Sequence, residues 1–268
     1  MISPFSAITQ QLHIMKRNNA SKSGSEFSKS IRDSTLSLNQ REEIIYDEVR
    51  SGNIPKFYRK LIEIKDTAIL NDKYYTIKYF VLPDFLAIGN DKDYFYCPMR
   101  PQLAQKIADL LKCSLPTRKI SNIIYQNAVV KMIPQPIPPS KAMITVPVFE
   151  MHNSIVQEQR KNSINLFPNG SLTAGNKKDV VISNKIVNEK GLFRVVIYGW
   201  HKPDGRAIQP LYNGHNTEHV DYSHGIRLIQ NKLWVNGKKT SIQKILKSES
   251  LHPLLSDEGI IVQSYYPK

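Results

Sequence analysis

The sequence predicts an α+β fold, with a helix-rich N-terminal part packed with an antiparallel sheet in the C-terminal half. Three observations predict it. Apolar residues recur at helical spacing between residues 38 and 130. β-Branched and aromatic runs crowd the second half, and the proline-rich stretch PQPIPPS (134–140) separates the two. The 268 residues suit one large domain or two small ones, and 41% hydrophobic content excludes a disordered or fibrous chain. No apolar run approaches the roughly 18–20 residues of a membrane span. Two cysteines, Cys97 and Cys113, are too few for a disulfide scaffold.

Residues 1–37 read as a flexible basic tail, because 15–37 are polar, Ser-rich and without apolar period. No basic stretch followed by an apolar core opens the chain, so no signal peptide is recognisable. The protein is expected to stay inside or to leave by a non-signal route. The helix-rich part spans 38–133. Ser37 or Asn39 caps a helix carrying Ile44, Ile45 and Val49, and Gly52 stops it. After Pro55, FYRKLIEI reads as a short helix or an extended segment, and KYYTIKYFVL (73–82) as a strand. FLAIG and DYFYCPM follow as short strands, in which Cys97 is packing. Helices are expected at 101–112, with Leu103, Ile107, Leu110 and Leu111 on one stripe, and at 117–130, with Ile120, Ile123 and Ile124. Residues 134–140 form a rigid linker.

The β part spans 141–268. Strands are expected at MITVPVF (143–149), DVVISNKI, FRVVIYGW, GIRLI and KLWVNG, with QNK as a hairpin turn between the last two and a short helix at 241–246. The two parts are expected to pack as one unit, since each alone has a thin core.

Four of the 7 histidines (His201, His215, His219 and His224) crowd one segment with Asp204, Glu218 and Asp221. That segment leaves a strand, loops, and re-enters a strand, which is where catalytic groups are commonly held. Imidazole titrates near 6.5 and ligates metals, so three chemistries compete. One is a zinc site of His215, His219 and Asp221, completed by His201 or His224. Another is a general base, His201 or His224, oriented by Asp221 or Asp204. The third is a polar loop whose histidines only satisfy hydrogen bonds. No cofactor is expected, because the spacing fits no common zinc motif and the loop contributes no cysteine; zinc is the alternative.

A general base needs a nucleophile. Cys113 precedes SLPTRK, where a helix start with Arg118 and Lys119 nearby would favour thiolate. Against this, a cysteine ending an apolar helix is commonly core. Ser223, between Tyr222 and His224, is the alternative nucleophile. Trp200 and Tyr222 offer stacking surfaces to a ligand, and Arg227 offers a bidentate contact to a substrate carboxylate.

The run Ser223-His224-Gly225-Ile226-Arg227-Leu228 resembles the S-H-G-C-[IV]-R-[LM] signature of L,D-transpeptidases, which cross-link peptidoglycan stem peptides. The resemblance implies cell-wall peptide chemistry. It covers about six residues, and Ile226 stands where that family carries its catalytic cysteine, so the family's nucleophile does not carry over. LPTRK, KKDVV, IYGWH and VDYSHGIR together also resemble an uncharacterised group of bacterial proteins, which implies a fold-length unit and no activity.

With 37 Lys+Arg against 23 Asp+Glu, the net charge of +14 favours a polyanion such as peptidoglycan. The basic residues are dispersed and form no nucleic-acid-binding motif, which argues against specific nucleic-acid recognition. The expectation is an amide-bond hydrolase or transpeptidase-like enzyme working through Cys113 or Ser223, a histidine and Asp221. The competing expectation is a non-catalytic module binding an anionic polymer or a protein.

Overall fold

A computed structural model of the chain describes residues 10–267. The fold is α+β, with most helices in the first part. The chain order is α1 (Gly24–Ser30), α2 (Leu38–Arg50), β1 (Ile62–Leu70), β2 (Lys73–Val81), β3 (Ala87–Gly89) and β4 (Tyr94–Tyr96). It continues with α3 (Pro101–Leu110), β5 (Cys113–Ser114), α4 (Arg118–Asn127), β6 (Val130–Lys131), α5 (Val146–Lys161), β7 (Thr173–Ala174) and β8 (Lys178–Val180). The end of the chain holds β9 (Ile197–His201), β10 (Ala207–Tyr212), β11 (His224–Gly225), β12 (Ile229–Gln230), β13 (Lys232–Val235), β14 (Lys238–Ser241) and α6 (Ile242–Leu246). No helix among the described residues is long and apolar enough to cross a membrane.

The larger sheet is built around β2. β1 lines one edge of it, while β12 and β13 lie end to end along the other, so Val81 sits between Ile62 and Ile229. β5 and β14 extend the sheet beyond β12 and β13. The smaller sheet runs β10-β9-β8-β11, antiparallel except for the parallel β8–β11 pair. The SHGIR motif leaves the smaller sheet after β11 and leads to β12 of the larger sheet.

Four sequence expectations are corrected. Residues 10–37 are anchored: Leu12, Phe27 and Ile31 are buried, and α1 carries a Ser23–Glu26 capping box. Arg17 donates to the Asn53 side chain and to the carbonyl of Gly89. Phe27 and Ile31 are four residues apart, a helical pair that the polar composition around them hides. The rest of the expected tail, residues 1–9, lies outside the described residues. The second correction is at 143–149, where α5 replaces the expected strand. Pro147 fits its first turn, and Val146, Phe149, His152, Val156 and Arg160 are buried at helical spacing.

Third, QNK makes no hairpin, because β12 and β13 share one neighbour instead of pairing. The hairpin is β13–β14, turned by Asn236 and Gly237, both at positive φ. Fourth, residues 134–140 do not divide a helix-rich part from the sheet: the larger sheet takes strands from both sides of them, and β6 pairs β7 across them.

Candidate functional site

The smaller sheet and the loop entering β11 build the site. In the β8–β11 ladder, His224 stands opposite Lys178, and Gly225 opposite Asp179. Residues directly opposite share a face, so His224 and Lys178 lie on the same side of the sheet. Upstream, Arg194 donates to the carbonyls of Asn213 and Gly214. Asn216 accepts from the Glu218 amide through its side chain and from His219 through its carbonyl. Glu218 is held by Arg100. Asp221 closes the turn, accepting the Ser223 amide at 2.7 Å and the Ser223 hydroxyl at 2.5 Å on Oδ1, while its carbonyl accepts from His224.

This pinned loop brings three ligating side chains together. His219 Nε2 lies 3.5 Å and His224 Nε2 4.0 Å from Asp221 Oδ2. One donor atom from each of the three lies within 4.8 Å of the others. Bonds of about 2.0–2.1 Å in tetrahedral zinc place ligand atoms roughly 3.3 Å apart, so the three side chains would have to draw together around an ion. His224 is 1% exposed, and neither of its ring nitrogens has a hydrogen-bond partner. A buried polar atom left without a partner costs about 1–3 kcal/mol, so this imidazole stands in a costly arrangement unless something binds it.

Electrostatics follow from burial and proximity. Burial pushes the His224 imidazolium down to about 4 against the pull of Asp221. Burial opposes the charge of Asp221, yet His224 and hydrogen bonds from His219 and Ser223 hold its carboxyl well below the usual range. His215 stacks on His219 with ring centroids 3.8 Å apart and at 18°; burial and the neighbouring imidazole lower its affinity for a proton. Relative to the zinc set expected from sequence, His224 takes the place of His215.

The other expected residues divide. His201 ends β9 away from this cluster: its Nε2 meets Asn122 Oδ1 at 2.8 Å and its ring stacks on Tyr125. It borders a cleft of about 670 Å³ shared with Tyr198, Lys131 and Arg206. Gly199 lies beside its ring and beside the Asp179 carboxylate, at a φ of 100° that a side chain would strain. His201 therefore makes no pair with Asp221, which corrects that alternative.

Cys113 is also corrected. It lies buried in the larger sheet opposite Gln230, and its thiol donates to the Leu111 carbonyl. Burial alone pushes the thiol up to about 12. The basic neighbours expected to activate it are committed elsewhere, Arg118 to Asp257 and Lys119 to the Pro253 carbonyl. Ser223 is fully buried with its hydroxyl on Asp221 rather than on a histidine, so no nucleophile–base pair forms there. Arg227 is 1% exposed and donates to the carbonyls of Leu82 and Thr173, which removes it from substrate contact.

Trp200 and Tyr222 are buried with His152 as a box of three rings, 4.8–6.2 Å apart. Tyr222 exchanges hydrogen bonds with the backbone of Ile137. Sequence reasoning missed the neighbours of this box. Lys177 is buried, donates to the Tyr222 carbonyl at 2.6 Å, and meets His152 Nδ1 at 3.0 Å. Burial brings it down to about 7. Lys178 places its ammonium 5.3 Å from the centre of the Trp200 ring. The signal was present in KKDVV, two lysines leading into an apolar strand. His152 was hidden by reading its helix as a strand up to Phe149. No family model matches this chain, and no curated protein and no solved structure shows significant similarity to it.

Proposed function

We propose that the protein is a metal-dependent hydrolase of amide bonds, with cell-wall peptides as its substrates. The observation that carries the reading is the convergence of His219, Asp221 and His224 around a buried imidazole with no partner of its own. Two nitrogens and one carboxylate oxygen are a zinc donor set that leaves a position open for water. Held by these residues, such an ion would supply Lewis acidity and a water with its pKa lowered to about 7. His219, the most exposed of the three at 28%, marks the side from which substrate enters. If an ion were held there, His215, stacked on His219, would be a further imidazole beside the centre able to act as a base.

This chemistry needs neither Cys113 nor Ser223 as nucleophile. The substrate class draws support from the resemblance of 223–228 to the L,D-transpeptidase signature and from the net charge of +14. The test is elemental analysis of the purified protein, followed by mass spectrometry of muropeptides incubated with wild type, His219→Ala and Cys113→Ala. Zinc near one equivalent, with cleavage by wild type and Cys113→Ala but not by His219→Ala, is expected. Absence of zinc together with a melting temperature indifferent to zinc and chelator overturns the metal centre. A zinc protein that alters no muropeptide overturns the substrate.

A further inference from the structure

We infer that the outer face of the larger sheet, from Trp234 to the end of the β1–β2 hairpin, is a docking surface for an anionic lipid bilayer. The surface lies outside the candidate metal centre and does not depend on it. Register defines it. Lys65 stands opposite Lys78, Lys78 opposite Trp234, and Trp234 opposite Lys239, so these side chains form one row across β1, β2, β13 and β14. Thr67 and Thr76 are the next row toward the hairpin turn, and Ile69 and Tyr74 the one after it. The alternate residues Ile64, Ile77 and Tyr79 turn the other way and are buried in the core.

The first feature that points to a bilayer is charge. Lys65, Lys78 and Lys239 in the row, with Lys232 next to Trp234 on the same face, share one carboxylate, Glu63, which lies 3.0 Å from the Lys65 ammonium. Asp66 belongs to the opposite face by register, and its carboxylate accepts the Thr67 amide. Lys78 makes no ion pair among the described residues and rests over the Trp234 ring, 5.0 Å from its centre. A cleft of about 470 Å³ opens among Lys65, Asp66, Thr67, Thr76, Lys78 and Trp234. Its ammonium and hydroxyl groups suit a phosphate head group, and its size falls within the range of small-molecule sites.

The second feature is apolar and independent of the lysines. Ile69 is 73% and Tyr74 62% exposed, directly opposite each other where the hairpin runs past the β13–β14 turn. Tyrosine and tryptophan favour the head-group level of a membrane, and lysines beside them are drawn to anionic lipid. A bilayer therefore meets both halves of the face, the lysine row with phosphates and the Ile69–Tyr74 pair with its apolar boundary. The hairpin turn itself is polar, Asn71-Asp72, so the sheet face lies along the surface and the turn does not pierce it. A nucleic acid would satisfy the lysines and leave Ile69 in water. A second copy of the chain in a two-fold contact would bring the lysine row against itself.

Vesicle co-sedimentation of the full chain tests this. Wild type is expected to sediment with vesicles of equal parts phosphatidylcholine and phosphatidylglycerol, and to stay in solution with phosphatidylcholine alone. Lys65→Gln, Lys78→Gln and Lys239→Gln together should weaken binding by roughly tenfold or more. Lys141→Gln, Lys190→Gln and Lys202→Gln remove the same charge from exposed positions outside this sheet, and should weaken it by less than about threefold. Ile69→Ser with Tyr74→Ser leaves the charge untouched and should weaken it by roughly tenfold. Thermal melts of each variant separate loss of binding from loss of fold. Equal losses in the two lysine triples would mean that net charge alone is read, and overturn the surface. Full binding by the Ile69→Ser, Tyr74→Ser variant overturns the bilayer as its partner. So does a single-stranded oligothymidylate that binds more tightly than the vesicles and is lost in the first lysine triple.

Discussion

His224 and Arg227 are three residues apart in one motif, both 1% exposed, and their surroundings are opposite. Arg227 has partners prepared for it: the Leu82 carbonyl at 3.1 Å, the Thr173 carbonyl at 2.6 Å, and the Phe85 ring 4.2 Å from its guanidinium carbon. Its Nε alone lacks one. His224 has none at either nitrogen, only the 4.0 Å approach to Asp221. A buried polar side chain that is mostly satisfied is part of the architecture, tying β2, β7 and the β11–β12 passage together. A buried polar side chain left unsatisfied beside a second imidazole and a carboxylate is the feature on which the proposed metal site rests. Position in a motif does not distinguish the two; the partner list does.

Breaking the satisfied half should have the largest effect. Arg227→Met removes the donors of two buried carbonyls, so a loss of about 3–5 kcal/mol in unfolding free energy is expected. Denaturant unfolding measures it. A loss below about 1 kcal/mol would mean that Arg227 is not structural, and would restore it as a candidate for ligand contact.

The next effect concerns Asp179, opposite Gly225 in the same ladder. Burial raises its carboxyl to about 7 against the opposing pull of Arg227. The folded state therefore keeps a proton that the unfolded chain, at an ordinary value near 3.8, has already released. This group's contribution to stability is complete below about pH 4 and is lost as pH rises toward 7. His152, brought down to about 2 by burial, acts with the opposite sign, disfavouring the folded state below 6.5. The two windows overlap, so the profile of wild type alone mixes them. Asp179→Asn isolates the first: its stability advantage over wild type should grow from pH 4 to 7 and level off at about 2–4 kcal/mol. A difference independent of pH would show that Asp179 is ionised in the fold.

Zinc comes next in size. An ion bound only by the folded state stabilises it by about 2.7 kcal/mol at 100 times its dissociation constant. For a chain of this length that is a rise in Tm of roughly 5–10 °C. Differential scanning fluorimetry with chelator and with added zinc should show the rise for wild type and none for His219→Ala.

Much of the fold was readable because its signals are local. Ser37 caps α2, β2 follows its β-branched and aromatic run, and the helical stripes at 103–111 and 120–124 became α3 and α4. Errors arose where a short window carries two meanings. MITVPVF has strand composition, but its apolar residues belong to a helix face that continues to Arg160, beyond the window. Asn236-Gly237 is a strong hairpin signal, but it closes a β-branched run while the preceding QNK carries turn residues of its own. At the proposed site, residue type alone draws attention to the loop and to His219, Asp221 and His224. The separation of His201 and the burial of Cys113 depend on which sheet each strand joins, which is long-range information that spacing does not carry.

The smallest expected effect on stability separates the two halves of the motif most sharply. His224→Leu replaces an imidazole that makes no hydrogen bond with an apolar side chain of similar size. Ordinary buried polar residues are destabilised by such a change because their partners are left unpaired. Here the acceptor it approaches is Asp221, which keeps the Ser223 amide and hydroxyl and the approach of His219. Removing two unsatisfied nitrogens offsets the loss of the weak His224–Asp221 attraction. In chelator, the variant should fall within about 1 kcal/mol of wild type. With zinc present, the wild type should pull ahead by the full ligand stabilisation while His224→Leu stays unchanged. A loss of several kcal/mol in chelator would instead place His224 with Arg227, as a side chain the fold needs with or without an ion.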